Sequence, residues 1–159
     1  NLGLKTRDNC VEWSPNSRLD ELQAAILLVK LKYLEKWTQG RRRNAQFYRK
    51  NLGSLKEITL PSVEKEFERP VYHTFVIQAE NRDSLMLYLR EKGIGTAIHY
   101  PVPIHLTDVG RELGYPLGSF LISETQSKSI LSLPVYPEMA KEKLNWVCEN
   151  IKNFYSKSY

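Results

Sequence analysis

Two polar stretches of this 159-residue chain concentrate side chains that can bind an anion or move a proton. One is His99-Tyr100-Pro101-Val102-Pro103-Ile104-His105, which holds two of the three histidines; the other is Asn16-Ser17-Arg18, directly ahead of a long helical pattern. Histidines six apart suggest a metal pair, yet no cysteine or carboxylate accompanies them at a recognised zinc spacing. Read from residue type alone, His99 is a strand-end residue and Tyr100 a packed ring, with the prolines fixing an extended turn. Asn16 precedes a helix N-terminus, where backbone N–H groups and the helix dipole favour a phosphate. From the residue alone, the reading as a loop residue that satisfies nearby backbone is the favoured one. Arg18 reads as a partner of the acidic first turn, its guanidinium being of the type that can hold a pyrophosphate with two parallel bonds. No Gly-x-Ser-x-Gly elbow and no pair of facing carboxylates supports a hydrolase.

The element that must position these groups is the helix that follows. Leu19, Leu22, Ile26, Val29, Tyr33 and Trp37 recur at three and four, the spacing of one helical face, and Leu27, Leu28, Leu31 and Leu34 add a second stripe. Ser17 and Asp20 stand as a capping box at its start. The phase continues through Gly40 to Ala45, Tyr48 and Leu52, so the spacing predicts one helix from Arg18 to about Leu52, roughly 50 Å long, with a bend allowed at Gly40. Two apolar stripes over that length require a partner surface beyond what a small domain supplies.

Before the helix, residues 1–15 read as loop with a short strand near Cys10 to Trp13. After it, Ile58 to Pro61 is extended and residues 63–69 form a charged linker. Strands are expected over Val71–Ala79, Ile94–His99 and Ile130–Leu133. Helices are expected over Asp83–Glu91, Thr107–Leu113, Ser123–Ser129 with Ser123 as cap, and Pro137–Tyr155. Strand, helix and strand in that order give an α/β fold, a small sheet covered by helices.

Composition narrows the function classes. With 42% apolar residues the chain builds a modest core as one domain. Its most apolar run, Ala24 to Val29, is far short of the roughly 20 residues that span a bilayer, so no membrane role is expected. Cys10 and Cys148 announce neither a disulfide framework nor a zinc site, which favours a cytoplasmic protein. The net charge of +5 and the run Arg41-Arg42-Arg43 raise nucleic acid as a partner. Successive helical residues point about 100° apart, however, so the three arginines do not form one flat phosphate-tracking stripe, and no nucleic-acid role is expected. Small anionic ligands fit the charge equally well.

Three ordered motifs carry a resemblance. The run Asn16-Ser17-Arg18-Leu19-Asp20-Glu21-Leu22-Gln23-Ala24-Ala25, with Trp37, the arginines 41 to 43, Ala45 and Tyr48, is followed by Gly93 through His105 and by Ile130-Leu131-Ser132-Leu133-Pro134-Val135-Tyr136-Pro137. Together they resemble the C-terminal part of the nucleotide-sugar aminotransferases of the DegT/DnrJ group, fold-type I enzymes that use pyridoxal 5'-phosphate (PLP). The resemblance implies the small α/β C-terminal domain over residues 53–159, a long interdomain helix over 18–52 and a tail of the large cofactor domain over 1–17. It implies a homodimer that transfers an amino group from glutamate to a keto group of a nucleoside-diphosphate sugar, in bacterial polysaccharide or glycoside biosynthesis. Asn16 would reach the cofactor phosphate of the neighbouring subunit, and Arg18, His99, Tyr100 and His105 would line the substrate. Ser132 and Pro134 read as structural. No lysine here matches the Schiff-base motif, so that lysine is expected upstream and the chain alone is expected to be inactive. Ser14-Pro15 replaces the Gly-Tyr usual before the Asn. The alternative is a non-catalytic regulatory or dimerisation module descended from the same fold.

Overall fold

The computed structural model describes residues 4–6, 9–12, 19–62 and 65–156. Contacts divide the chain into two compact units, residues 1–29 with 100–128 and residues 30–99 with 129–159.

The second unit holds the sheet. Strands β3 (Ile58–Thr59), β4 (Phe75–Ala79) and β5 (Ile130–Leu133) pair antiparallel in the order β3-β4-β5. Phe75 lies opposite Leu133 and Ile77 opposite Leu131. Every second residue of β4 is buried, Phe75, Ile77 and Ala79, as the two-residue strand period requires. These side chains meet apolar faces of α2 (Leu34–Leu52), α3 (Arg82–Glu91) and α6 (Lys141–Ser156). Tyr48, Leu52, Leu85, Leu89, Leu131 and Ile151 have no exposed surface. Each such aliphatic or aromatic side chain contributes about 1.5–3 kcal/mol by leaving water.

The first unit contains a hairpin of β1 (Leu4–Thr6) and β2 (Asn9–Cys10), the 3₁₀ turn Ile104–Leu106 and α4 (Asp108–Arg111). It also holds most of α1 (Glu21–Leu31) and of α5 (Leu121–Ser129). The 3₁₀ turn sits on α4 so closely that a Cβ on Gly110 would overlap the Ile104 carbonyl.

Several expectations change. The single helix over 18–52 is two helices, broken at Lys32-Tyr33 and not bent at Gly40. At the break Tyr33 N–H donates to Lys30 O, a three-residue closure at φ −109°, ψ −5°, which tightens the turn and resets the helical phase. No glycine or proline marks that point in the sequence. The strand expected over Val71–Ala79 starts only at Phe75, because Tyr72 is left-handed with φ +48°. The stretch Ile94–His99 makes a single bridge, Ala97 to Ser132, and no full strand. Finally, α5 begins at Leu121, so Ser123 lies in its first turn and not at its cap. The proposed Ser17 cap lies outside the described residues. No residue of α1 is buried: Leu22, Ile26, Leu28 and Leu31 all stand open. Among the described residues no helix is long and apolar enough to cross a membrane.

Candidate functional site

An open groove of about 370 Å³ lies in the second unit, lined by Arg41 from α2, His73 and Thr74 ahead of β4, residues 95–97 with His99, and residues 132–136. Helix α2 is the organiser. Arg41, Asn44 and Tyr48, three and four apart, share one helical face. The Asn44 amide donates to Tyr136 O at 2.8 Å and the Tyr48 hydroxyl donates to Pro134 O at 2.7 Å. Two buried side chains therefore pin the wall 134–136 to the helix that carries Arg41. Burial, reinforced by Cys148 and Tyr136, pushes the Tyr48 hydroxyl far above its ordinary pKa and keeps it a donor. Gly40 lets the backbones approach, since a Cβ there would lie 2.9 Å from Pro137 O.

The opposite wall is fixed by the bridge between Ala97 and Ser132, whose N–H groups each donate to the other's carbonyl. Beyond it, His99 Nδ1 lies 2.9 Å from Ser132 Oγ. Ser132 is buried, so this bond orients an exposed imidazole ring from below. The described lining contains a guanidinium, two imidazoles and the hydroxyls of Thr74, Thr96, Ser132 and Tyr136, with neither carboxylate nor lysine amine. Such a set suits a phosphate ester or a polyol. It lacks the amine that would capture a cofactor carbonyl covalently, and in that respect it does not fit a Schiff-base site.

The three arginines diverge as helical geometry dictates. Arg41 lines the groove, Arg42 Nη1 donates to Pro70 O at 3.1 Å, and Arg43 is exposed.

Of the described residues put forward from sequence as cofactor or substrate contacts, His99 alone lines the groove. Tyr100, its chain neighbour, is 75% exposed. His105 is buried in the first unit, where Nε2 donates to Glu124 Oε1 at 2.9 Å and the ring meets Phe120 edge-on, centroids 4.8 Å apart. Glu124 also accepts from Gly118 N at 2.9 and 3.0 Å and from Phe120 N at 3.2 Å. Burial pushes its carboxyl up, but the bonds from His105, Phe120 and Gly118 outweigh this and hold it below the usual range. Asn16 and Arg18 lie outside the described residues. Sequence reasoning gave no groove role to Arg41 or His73 and read Ser132 as structural. The signal for Arg41 was present, because it stands three and seven residues before Asn44 and the core residue Tyr48.

A family model described as the DegT/DnrJ/EryC1/StrS aminotransferase family matches residues 4–152. The pleiotropic regulatory protein of Geobacillus stearothermophilus is 41% identical over 141 residues, covering 88% of this chain and 38% of that protein. The dTDP-3-amino-3,4,6-trideoxy-alpha-D-glucose transaminase of Streptomyces venezuelae is 36% identical over 154 residues, covering 97% of this chain and 40% of that protein. A crystal structure of S. venezuelae DesV in complex with a ketimine intermediate superposes with a TM-score of 0.85 at 33% identity, over 100% of this chain and 43% of that one. The chain thus spans about two fifths of the length of the relatives it matches.

Proposed function

Because the chain belongs to the DegT/DnrJ/EryC1/StrS aminotransferase family, we propose that it is the C-terminal part of a PLP-dependent enzyme that moves an amino group from glutamate to a keto group of a nucleoside-diphosphate sugar. The observation that carries this reading is the groove lining, in which Arg41 stands beside imidazoles and hydroxyls with no carboxylate among the described residues. When bound, PLP supplies the electron sink for amino transfer. The residues of the groove supply binding. Arg41 grips the diphosphate, while His99, oriented by Ser132, bonds sugar hydroxyls; Tyr100, which does not line the groove, is proposed as a separate sugar contact. In this reading His105 holds Glu124 and the loop around it, and does not touch the sugar. The Schiff-base lysine belongs to a segment outside this chain. Asn16 meets the cofactor phosphate of a neighbouring subunit and Arg18 the substrate anion, in a cytoplasmic homodimer serving polysaccharide or glycoside synthesis.

A regulatory role is the second reading, favoured by the Geobacillus relative's description as a regulatory protein. The two readings diverge in one experiment on the full-length protein. Glutamate added to the PLP-loaded enzyme should shift the cofactor absorbance, and a dTDP- or UDP-linked keto sugar should restore it; a regulator gives no such cycle. Arg41→Ala should weaken nucleotide-sugar binding by about 10- to 100-fold, the loss of hydrogen bonds to a charged group worth about 1.5–3 kcal/mol. Unaltered affinity in that variant would remove the groove from the substrate path.

A further inference from the structure

The lead-in to β4 breaks the rule that the rest of the strand obeys. Phe75, Ile77 and Ala79 are buried at a period of two, and continuing that period backwards would bury His73. The opposite arrangement is observed: Tyr72 is buried and His73 is exposed and lines the groove. The cause is the left-handed backbone of Tyr72, φ +48°, which shifts the alternation by one residue. A bulky aromatic residue is an unfavourable occupant of that region, where glycine or asparagine is tolerated.

Such a conformation persists only where its surroundings over-determine it. Helix α2 provides this. Arg49 donates from Nη1 to Pro61 O at 2.6 Å and from Nη2 to Ser62 O at 2.7 Å and to the Tyr72 hydroxyl at 3.2 Å. Arg42, seven residues earlier and therefore on the same helical face, holds Pro70 O. The Tyr72 ring packs against Phe75, centroids 6.0 Å apart. Both ends of the segment 61–72 are tied to the helix that also presents Arg41.

We infer that Tyr72 is a strained pivot that turns His73 and Thr74 out of the core and into the groove, and that His73 is a binding residue for the phosphoryl or sugar oxygens of the ligand held by Arg41. This rests on the reading of the groove as a nucleotide-sugar site. His73 is then a contact residue, and Tyr72, which acts through it, a positioning residue.

The test uses calorimetric titration of the full-length protein with dTDP-glucose and with UDP-glucose. His73 is exposed, so His73→Ala should keep the fold and weaken binding of the preferred probe about tenfold, while His73→Gln, which retains an N–H donor, recovers part of the loss. Tyr72→Phe keeps the ring but loses the Arg49 bond, and should weaken binding about threefold. In the His73→Ala background Tyr72→Phe should add nothing, since residues acting through one contact are not additive. The far-UV circular dichroism of each variant should match that of the wild type, which a general loss of structure would not allow. If Arg41→Ala weakens binding and His73→Ala does not, the contact is overturned and the groove reading survives. If His73→Ala weakens binding but Tyr72→Phe adds its full effect in that background, the pivot is overturned. If neither probe binds the wild type, the groove reading falls and this inference with it.

Discussion

Gly40→Ala sets two physical effects against each other, and the sign of the result decides between them. Gly40 is interior to α2, where alanine is favoured over glycine by about 1 kcal/mol. Against this, an added Cβ would lie 2.9 Å from Pro137 O, 3.0 Å from its Cβ and 3.1 Å from its Cα. Two of those atoms are backbone, so the segment itself must move. It is not free to do so, because Asn44 holds Tyr136 O and Tyr48 holds Pro134 O. Overpacking of this kind costs about 1–3 kcal/mol. Subtracting the gain in propensity leaves a net destabilisation of about 0–2 kcal/mol. Urea unfolding followed by circular dichroism measures it: the midpoint should fall while the slope stays constant. The wall 134–136 also lines the groove, so nucleotide-sugar affinity should fall with stability. A midpoint raised by the amount propensity alone dictates would refute the claim that Gly40 exists for close approach to Pro137.

Tyr48→Phe removes the donor to Pro134 O from a site with no exposed surface, and should cost about 0.5–1.5 kcal/mol in the same urea assay. An unchanged midpoint would mean that Pro134 O finds another donor at no cost. Glu124→Gln tests the carboxylate that holds His105. The folded state lowers the pKa of Glu124, so its stabilisation is fully present above the unfolded value of about 4.3 and is lost as pH falls through the lower folded value. The melting temperature of the wild type should exceed that of Glu124→Gln near neutral pH, and the gap should begin to narrow below about pH 4 and close beneath the lower folded value. A gap independent of pH would assign the effect to shape and not to charge.

The sequence by itself carried the family, because its motifs are runs of specific residues in fixed order that need no coordinates to be read. It also carried α3, α6 and β5, whose periods, caps and prolines are local, and the burial of Tyr48 and Leu52 on one helical face. What tertiary structure decided was everything that depends on which group meets which across the chain. The helix breaks at Tyr33, where no residue type announces a break, through a three-residue hydrogen bond in place of a four-residue one. The alternation flips at Tyr72 because arginines 42 and 49 hold a segment distant in sequence. Arg41 points into a groove and Arg43 into solvent, though the two are alike in type and nearly adjacent. His105, expected from the resemblance at the substrate, meets Glu124, nineteen residues later. Periodicity fixes which face of an element is apolar; it does not say which distant donor or acceptor that face will meet, and the site is built from those meetings.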